Sequence, residues 1–216
     1  MYDIETWGHT LRYVVELIGT LAFALSGILA GVRKRMDIFG ISVLGFISAF
    51  GGGTLRDVLL DRRPFFWVAE VSLLWLVVGL CLAVLAVLRR HQSLRVSEKA
   101  IQWADALGLG LFVATGVQYA LVAQLPVVVS VMMGVVTGVF GGVMRDIACN
   151  EMPTAFSDHR PYAVCAFMGG WVYVAGQWLA IGSEQVLLAS IAVTTGLRML
   201  ALKLDWQLPH WGNQGK

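Results

Sequence analysis

Seven long apolar runs decide what this chain can fold into. They lie at about 12–32, 38–60, 68–88, 101–121, 126–149, 161–181 and 184–202, with short connections between them. A helix that crosses a bilayer needs about 20 mostly apolar residues, and it satisfies its own peptide groups where lipid offers them no partner. The runs are too long for barrel strands of about 10 residues and lack the alternation of such strands. The expectation is an all-α polytopic membrane protein, with about seven transmembrane helices forming a single domain over residues 1–216. The composition points the same way. It is 57% hydrophobic and only 14% charged, whereas soluble domains carry about a quarter charged residues. The first run is read as a retained helix, because its flank holds Asp3, Glu5 and Arg12 in place of a basic leader.

Orientation is read from Lys and Arg in the short connections. One side carries Arg33, Lys34, Arg35, Arg89, Arg90, Arg95, Lys99, Arg160, Lys203 and Lys216, while the other carries Arg62 and Arg63. The expectation is an N-terminus outside and a C-terminus in the cytoplasm. The net charge of +2 comes without a basic stripe, so no nucleic-acid partner is expected. Cys81, Cys149 and Cys165 lie in or near apolar runs and make no metal or disulfide spacing. His9, His91, His159 and His210 are scattered, and no nucleophile–base pattern accompanies them. Neither a catalytic site, a metal site nor a cofactor is expected, and the chain is not read as an enzyme.

The chain also repeats itself. A shift of 89 residues carries Gly52, Gly53, Arg56 and Asp57 onto Gly141, Gly142, Arg145 and Asp146. It also carries Glu16 onto Asp105, Gly19 onto Gly108, Phe23 onto Phe112, Ser26 onto Thr115 and Pro64 onto Pro153. Repeat one covers about 12–88 and repeat two about 101–181; the additional helix at about 184–202 stands outside both. Each repeat holds three spans, so the second enters the membrane from the opposite side. Such inverted repeats, related by a pseudo-two-fold axis in the membrane plane, are an architecture of transport proteins.

Two readings of the glycines stand open. Gly51, Gly52 and Gly53 in the second run, and Gly141 and Gly142 in the fifth, could break their helices and free carbonyls that favour cations. Alternatively they serve close packing, since Gly45, Ala49 and Gly52 share one helical face and Gly134, Gly138 and Gly141 another. An arginine within a span costs about 3 kcal/mol on insertion scales, so it usually faces a bundle interior or water. Arg56 and Arg145 are expected to pair with Glu16 and Asp105, one pair at each mouth, with Asp57 and Asp146 pointing elsewhere. Ser26 and Thr115 share faces with Glu16 and Asp105; their hydroxyls either line a hydrated path or bond back to the helix.

The stretch GGGTLRDVLL, its echo GGVMRDIACNEMP and the layout of three, three and one spans resemble the trimeric intracellular cation channel family, most closely its compact bacterial members. The second copy departs from the pattern, with Phe140 where Gly51 stands and Val143 where Thr54 stands. The resemblance implies a homotrimer with a pore in each protomer, conduction of monovalent cations, chiefly potassium, and gating at the glycine motifs. The residues it points to are Gly51, Gly52, Gly53, Gly141 and Gly142 with the Arg/Asp pairs that follow. Related bacterial sequences are also described as glycine transporters. Three functions therefore stand: a potassium-permeable channel, a secondary transporter of glycine or a similar small amino acid, and a scaffold whose glycines only pack. Membrane lipid is the expected surrounding partner, and the basic loops could attract anionic headgroups.

Overall fold

The computed structural model describes residues 4–90, 96–157 and 160–207, with side chains from residue 10 onwards. The four histidines, Asp3, Glu5, Arg95 and Lys216 fall outside the described side chains. The described residues form helices α1 (Ile4–Arg33), α2 (Ile38–Leu59), α3 (Phe66–Ala69), α4 (Val71–Arg90), α5 (Glu98–Val122), α6 (Val127–Ala148), α7 (Thr154–Ser157), α8 (Ala163–Trp178) and α9 (Ser183–Leu204). Six of them are long and apolar enough to cross a membrane. The run expected at 161–181 is helical over only 16 residues, about 24 Å at 1.5 Å per residue. Pro161 stands before that helix and Ala180, left-handed at φ 54°, closes it. The short helices α3 and α7 follow Pro64 and Pro153 and were not expected.

Local chemistry sets the helix ends. Asp37 Oδ1 accepts from the Gly40 amide at 2.7 Å and starts α2, and the Ser97 hydroxyl accepts from the Lys99 amide at 3.2 Å to start α5. Four of the ends come in repeat-related pairs. Left-handed Arg35 and Gln124 end α1 and α5, and left-handed Asp61 and Asn150 end α2 and α6. In the latter pair the Arg62 amide donates to the Asp57 carbonyl, and the Glu151 amide to the Asp146 carbonyl. Each member of a pair lies 89 residues from the other, so the turn chemistry repeats along with the spans.

The two repeats are inverted. Gly19 lies against Phe112 while Gly108 lies against Phe23, and Ser26 donates to the Ile101 carbonyl. Contacts that climb α1 therefore descend α5. Helices α2 and α6 cross antiparallel in the same way, with Gly52 on Thr137 and Gly141 on Ser48. Exchanging the repeats turns each contact into its mate, which is the signature of a pseudo-two-fold axis. Helix α9 packs on α8 and α5. Among the described residues no equivalent helix covers α4, which is 17% buried over its most apolar window against 78% for α5.

Candidate functional site: two buried arginine clusters

Arg56 stands in the last turn of α2 and is fully buried. Its Nη1 donates to Glu16 Oε1 on α1 at 2.9 Å, and its Nε to Asp57 Oδ1 at 2.9 Å. The same Asp57 oxygen accepts from Arg62 Nη1 at 3.2 Å, and Oδ2 accepts from the Phe66 amide at 2.8 Å. The Arg56 guanidinium lies 4.3 Å from the Tyr119 ring centre and 5.3 Å from that of Phe66, while Arg62 lies 3.9 Å from Tyr119. Arg56 Nη2 has no hydrogen-bond acceptor among the described residues, so cation–π attraction to these rings supports that edge of the guanidinium.

The second cluster repeats the plan at the end of α6. Arg145 Nη1 donates to Asp105 Oδ1 on α5 at 2.6 Å, and Nε to Asp146 Oδ1 at 2.8 Å. Nη1 also donates to the Ser26 hydroxyl of the other repeat. Asp105 Oδ2 accepts from the Tyr162 hydroxyl at 2.6 Å. Asp146 Oδ2 accepts from the Thr154 amide at 2.8 Å and the Thr154 hydroxyl at 3.0 Å. Arg198 of α9 lies 4.7 Å from the Tyr162 ring and donates to the Pro161 carbonyl at 3.0 Å.

Asp57 and Asp146 correct the expectation that they point away. Cα positions one residue apart do diverge by about 100° around a helix. An arginine side chain is long enough to fold back, however, and its Nε then meets the carboxylate of the next residue. Each aspartate thus holds its neighbouring arginine with one oxygen and the start of the following short segment with the other. Burying a guanidinium is tolerable only when its donors are matched in this way.

The glycines do not break their helices, which rules out the first of their two readings. Helices α2 and α6 run through them without a break, and none of the described glycines has a positive φ. What the glycines supply is closeness. A Cβ on Gly52 would overlap the Thr137 carbonyl, and one on Gly141 would stand 2.6 Å from the Ser48 carbonyl. A Cβ on Gly53 would enter the Phe66 ring, and one on Gly142 would lie 2.9 Å from both Asp105 Oδ1 and the Tyr162 hydroxyl. Gly51 differs, since its Cβ would meet nothing nearer than Met144 Cγ at 3.8 Å. Phe140 fits at the repeat-related position for the same reason.

Each cluster floors a cavity. One is lined by Arg12, Tyr13, Glu16, Arg62, Glu70 and Tyr119, beside the N-terminal half of α1. The other includes Ala30, Lys34, Asp105, Arg145, Asp146 and Glu151, beside the C-terminal end of α1. Glu16 and Ala30 are 14 residues apart on one helix, so the cavities open about 21 Å apart along it. Between them the core is packed, with Phe23 and Phe112 1% exposed and their ring centres 5.5 Å apart. The Ser26 hydroxyl belongs to the Arg145 cluster, whereas the buried Thr115 hydroxyl bonds back to the Leu111 and Phe112 carbonyls.

The sequence reading missed Tyr119 and Tyr162 as members of these clusters, and it counted Arg62 only for topology. The shift of 89 pairs Tyr119 with Ala30 and Tyr162 with Leu73, so a search for repeated residues passes over both tyrosines.

Comparison with known proteins places this arrangement. A family model described as glycine transporter matches twice, over residues 13–89 and 102–178, and the two matches stand 89 residues apart. A UPF0126 membrane protein of Vibrio cholerae is 34% identical over 208 residues, covering 96% of this chain and 86% of its own. The UPF0126 inner membrane protein YadS of Escherichia coli is 36% identical over 200 residues, covering 92% and 95%. Among solved structures, a TRIC cation channel aligns with a TM-score of 0.82 at 33% identity over 94% of this chain and 98% of that one. The TRIC trimeric intracellular cation channel orthologue from Rhodobacter sphaeroides aligns with a TM-score of 0.83 at 31% identity over 91% and 100%.

Proposed function

This integral membrane protein belongs to the TRIC cation-channel family, whose sequence model is described as glycine transporter, and from that premise we propose that it is a potassium-permeable cation channel with a pore inside each protomer. One observation supports this above the others: two cavities lined by charged side chains approach each other from opposite ends of α1, one reaching buried Arg145 and the other reaching Glu16, the carboxylate that holds buried Arg56. The α2–α6 crossing and the Phe23–Phe112 pair lie between the cavities, and the path opens when that crossing loosens. The gate is therefore assigned to Gly52 and Gly141, with Gly51, Gly53 and Gly142 beside them. The assembly is a homotrimer, as in the family's solved members, set in the bacterial inner membrane with the Arg56 mouth outside and the Arg145 mouth cytoplasmic. The basic excess at Arg33, Lys34 and Arg35 supports that orientation.

A second reading has its own support. Two cavities separated by a thin packed layer also suit alternating access, and the matching family model is described as glycine transporter. Planar-bilayer recording with ion substitution, paired with labelled-glycine uptake on the same purified protein, separates the two readings. A channel shows unitary potassium currents and no saturable uptake. Saturable, competable glycine uptake without unitary currents refutes it.

A further inference from the structure

Repeat-related positions of the two mouths differ in charge, as where Ile101 stands for Arg12, and one such difference involves a residue that touches a buried cluster. The shift of 89 carries Arg62 onto Glu151. Arg62 follows left-handed Asp61 in the turn after α2, with its side chain 40% exposed. It spans from the Asp57 carboxylate at 3.2 Å to the Tyr119 ring at 3.9 Å. That ring also carries the Arg56 guanidinium at 4.3 Å, so two positive charges stand on one tyrosine. Glu151 turns instead to Lys34, at 2.6 Å. The oxygen pair of Asp146 accepts from Arg145 and from the Thr154 amide and hydroxyl.

The remaining charges of the Arg56 cavity are those of Arg12, Glu16 and Glu70. Glu16 is already committed to Arg56. Arg62 is a half-exposed positive charge in direct contact with the buried cluster and on the wall of the cavity. Charge in a cleft with low-dielectric walls acts more strongly than the same charge on open surface, and it alters ion entry by tenfold or more.

We propose that Arg62 is the electrostatic barrier of the Arg56 mouth: bridging Asp57 and Tyr119, it repels cations entering from that side, and its opposite sign to Glu151 makes the two mouths unequal to a permeant cation. This rests on the cation-channel reading for its consequence, but not for its physical basis. Arg62→Glu copies the other half, Arg62→Gln removes the charge, and Arg62→Lys keeps it while giving up the planar stack on Tyr119.

Two measurements test the barrier. The first is the current–voltage relation in planar bilayers. Wild-type protein rectifies, and Arg62→Glu raises cation current entering at the Arg56 mouth about tenfold and reduces the rectification, with Arg62→Gln in between and Arg62→Lys close to wild type. The second needs no conduction. Ala69 is exposed and lines the same cavity. On purified Ala69→Cys protein, with the rate of the native cysteines subtracted, a cationic and an anionic methanethiosulfonate reagent are compared. Adding Arg62→Glu raises the cationic-to-anionic rate ratio about tenfold, and adding Arg62→Lys leaves it unchanged. An unmoved ratio overturns the barrier, and so does a moved ratio with unchanged rectification in a conducting protein. A wild type that passes no cation current removes the channel reading instead, while the reagent ratio still decides the charge placed by Arg62.

Discussion

The two arginine clusters are built on one plan and completed by different parts. In both, an arginine at the end of a crossing helix is held by an acid from the neighbouring helix and by the aspartate that follows it. Around Arg145 the rest of the shell is hydrogen bonds: Ser26 on the guanidinium, Tyr162 on Asp105 and Thr154 on Asp146. Around Arg56 the rest of the shell is aromatic, with Tyr119 and Phe66 beside the guanidinium, and Arg62 takes the second place on Asp57. Glu16 also keeps 12% of its side chain exposed, whereas Asp105 keeps 4%. Duplication supplied the shared skeleton. The shells differ because they draw on residues whose repeat-related counterparts are unlike them, such as Arg62 and Glu151, and on Arg198, whose helix stands outside both repeats.

The difference can be broken most severely by removing the arginines. Arg145→Leu leaves Asp105 and Asp146 buried without their partner and lowers stability by about 3–5 kcal/mol. Arg56→Leu costs less, because Arg62 still reaches Asp57 and Glu16 borders the cavity. Chemical denaturation of the purified protein in detergent checks the ranking, and equal losses would show that the shells are energetically equivalent.

The crossing tests the opposite idea, that the halves are equal where the axis passes. Gly52→Leu and Gly141→Leu each force a side chain onto a facing carbonyl and lower stability by about 3 kcal/mol, at the upper end of overpacking costs. Gly51→Ala, which meets only ordinary contacts, stays within about 0.5 kcal/mol. Thermal unfolding of the three variants reads this directly, and unchanged melting in both leucine variants would remove the close crossing. The same variants serve the gating proposal, since unaltered ion flux in both would take the gate away from these glycines.

A finer probe is the tyrosine hydroxyl. Tyr162→Phe removes a hydrogen bond to a buried carboxylate and costs about 2 kcal/mol. Tyr119→Phe keeps the ring that carries both guanidiniums, so its cost is under about 0.5 kcal/mol. The same unfolding experiment gives both values, and a loss in Tyr119→Phe as large as in Tyr162→Phe would show that the Arg56 shell relies on that hydroxyl.

Much of this protein is legible in the order of its residues. Apolar runs of span length admit only helices in lipid, because no other open structure satisfies its own peptide groups there. An odd number of spans in each repeat makes the repeats opposed. The shift that brings Gly52, Arg56 and Asp57 onto Gly141, Arg145 and Asp146 also brings Glu16 onto Asp105, which is enough to single out the acids that the structure places on the two arginines. Periodicity could not choose between a broken helix and a close crossing at the glycines. That choice depends on what stands opposite, and the Thr137 and Ser48 carbonyls lie on partner helices 85 and 93 residues away in sequence (Gly52 to Thr137, Ser48 to Gly141). Nor could it show the aspartates turning back onto their arginines, since a helical wheel places Cα atoms and not the ends of long side chains. The tyrosines, Arg62 and Arg198 enter only through tertiary structure. They are single residues that find no like residue at the shift of 89 and sit in no motif, and packing of the helices alone decides that their rings and charges meet the clusters.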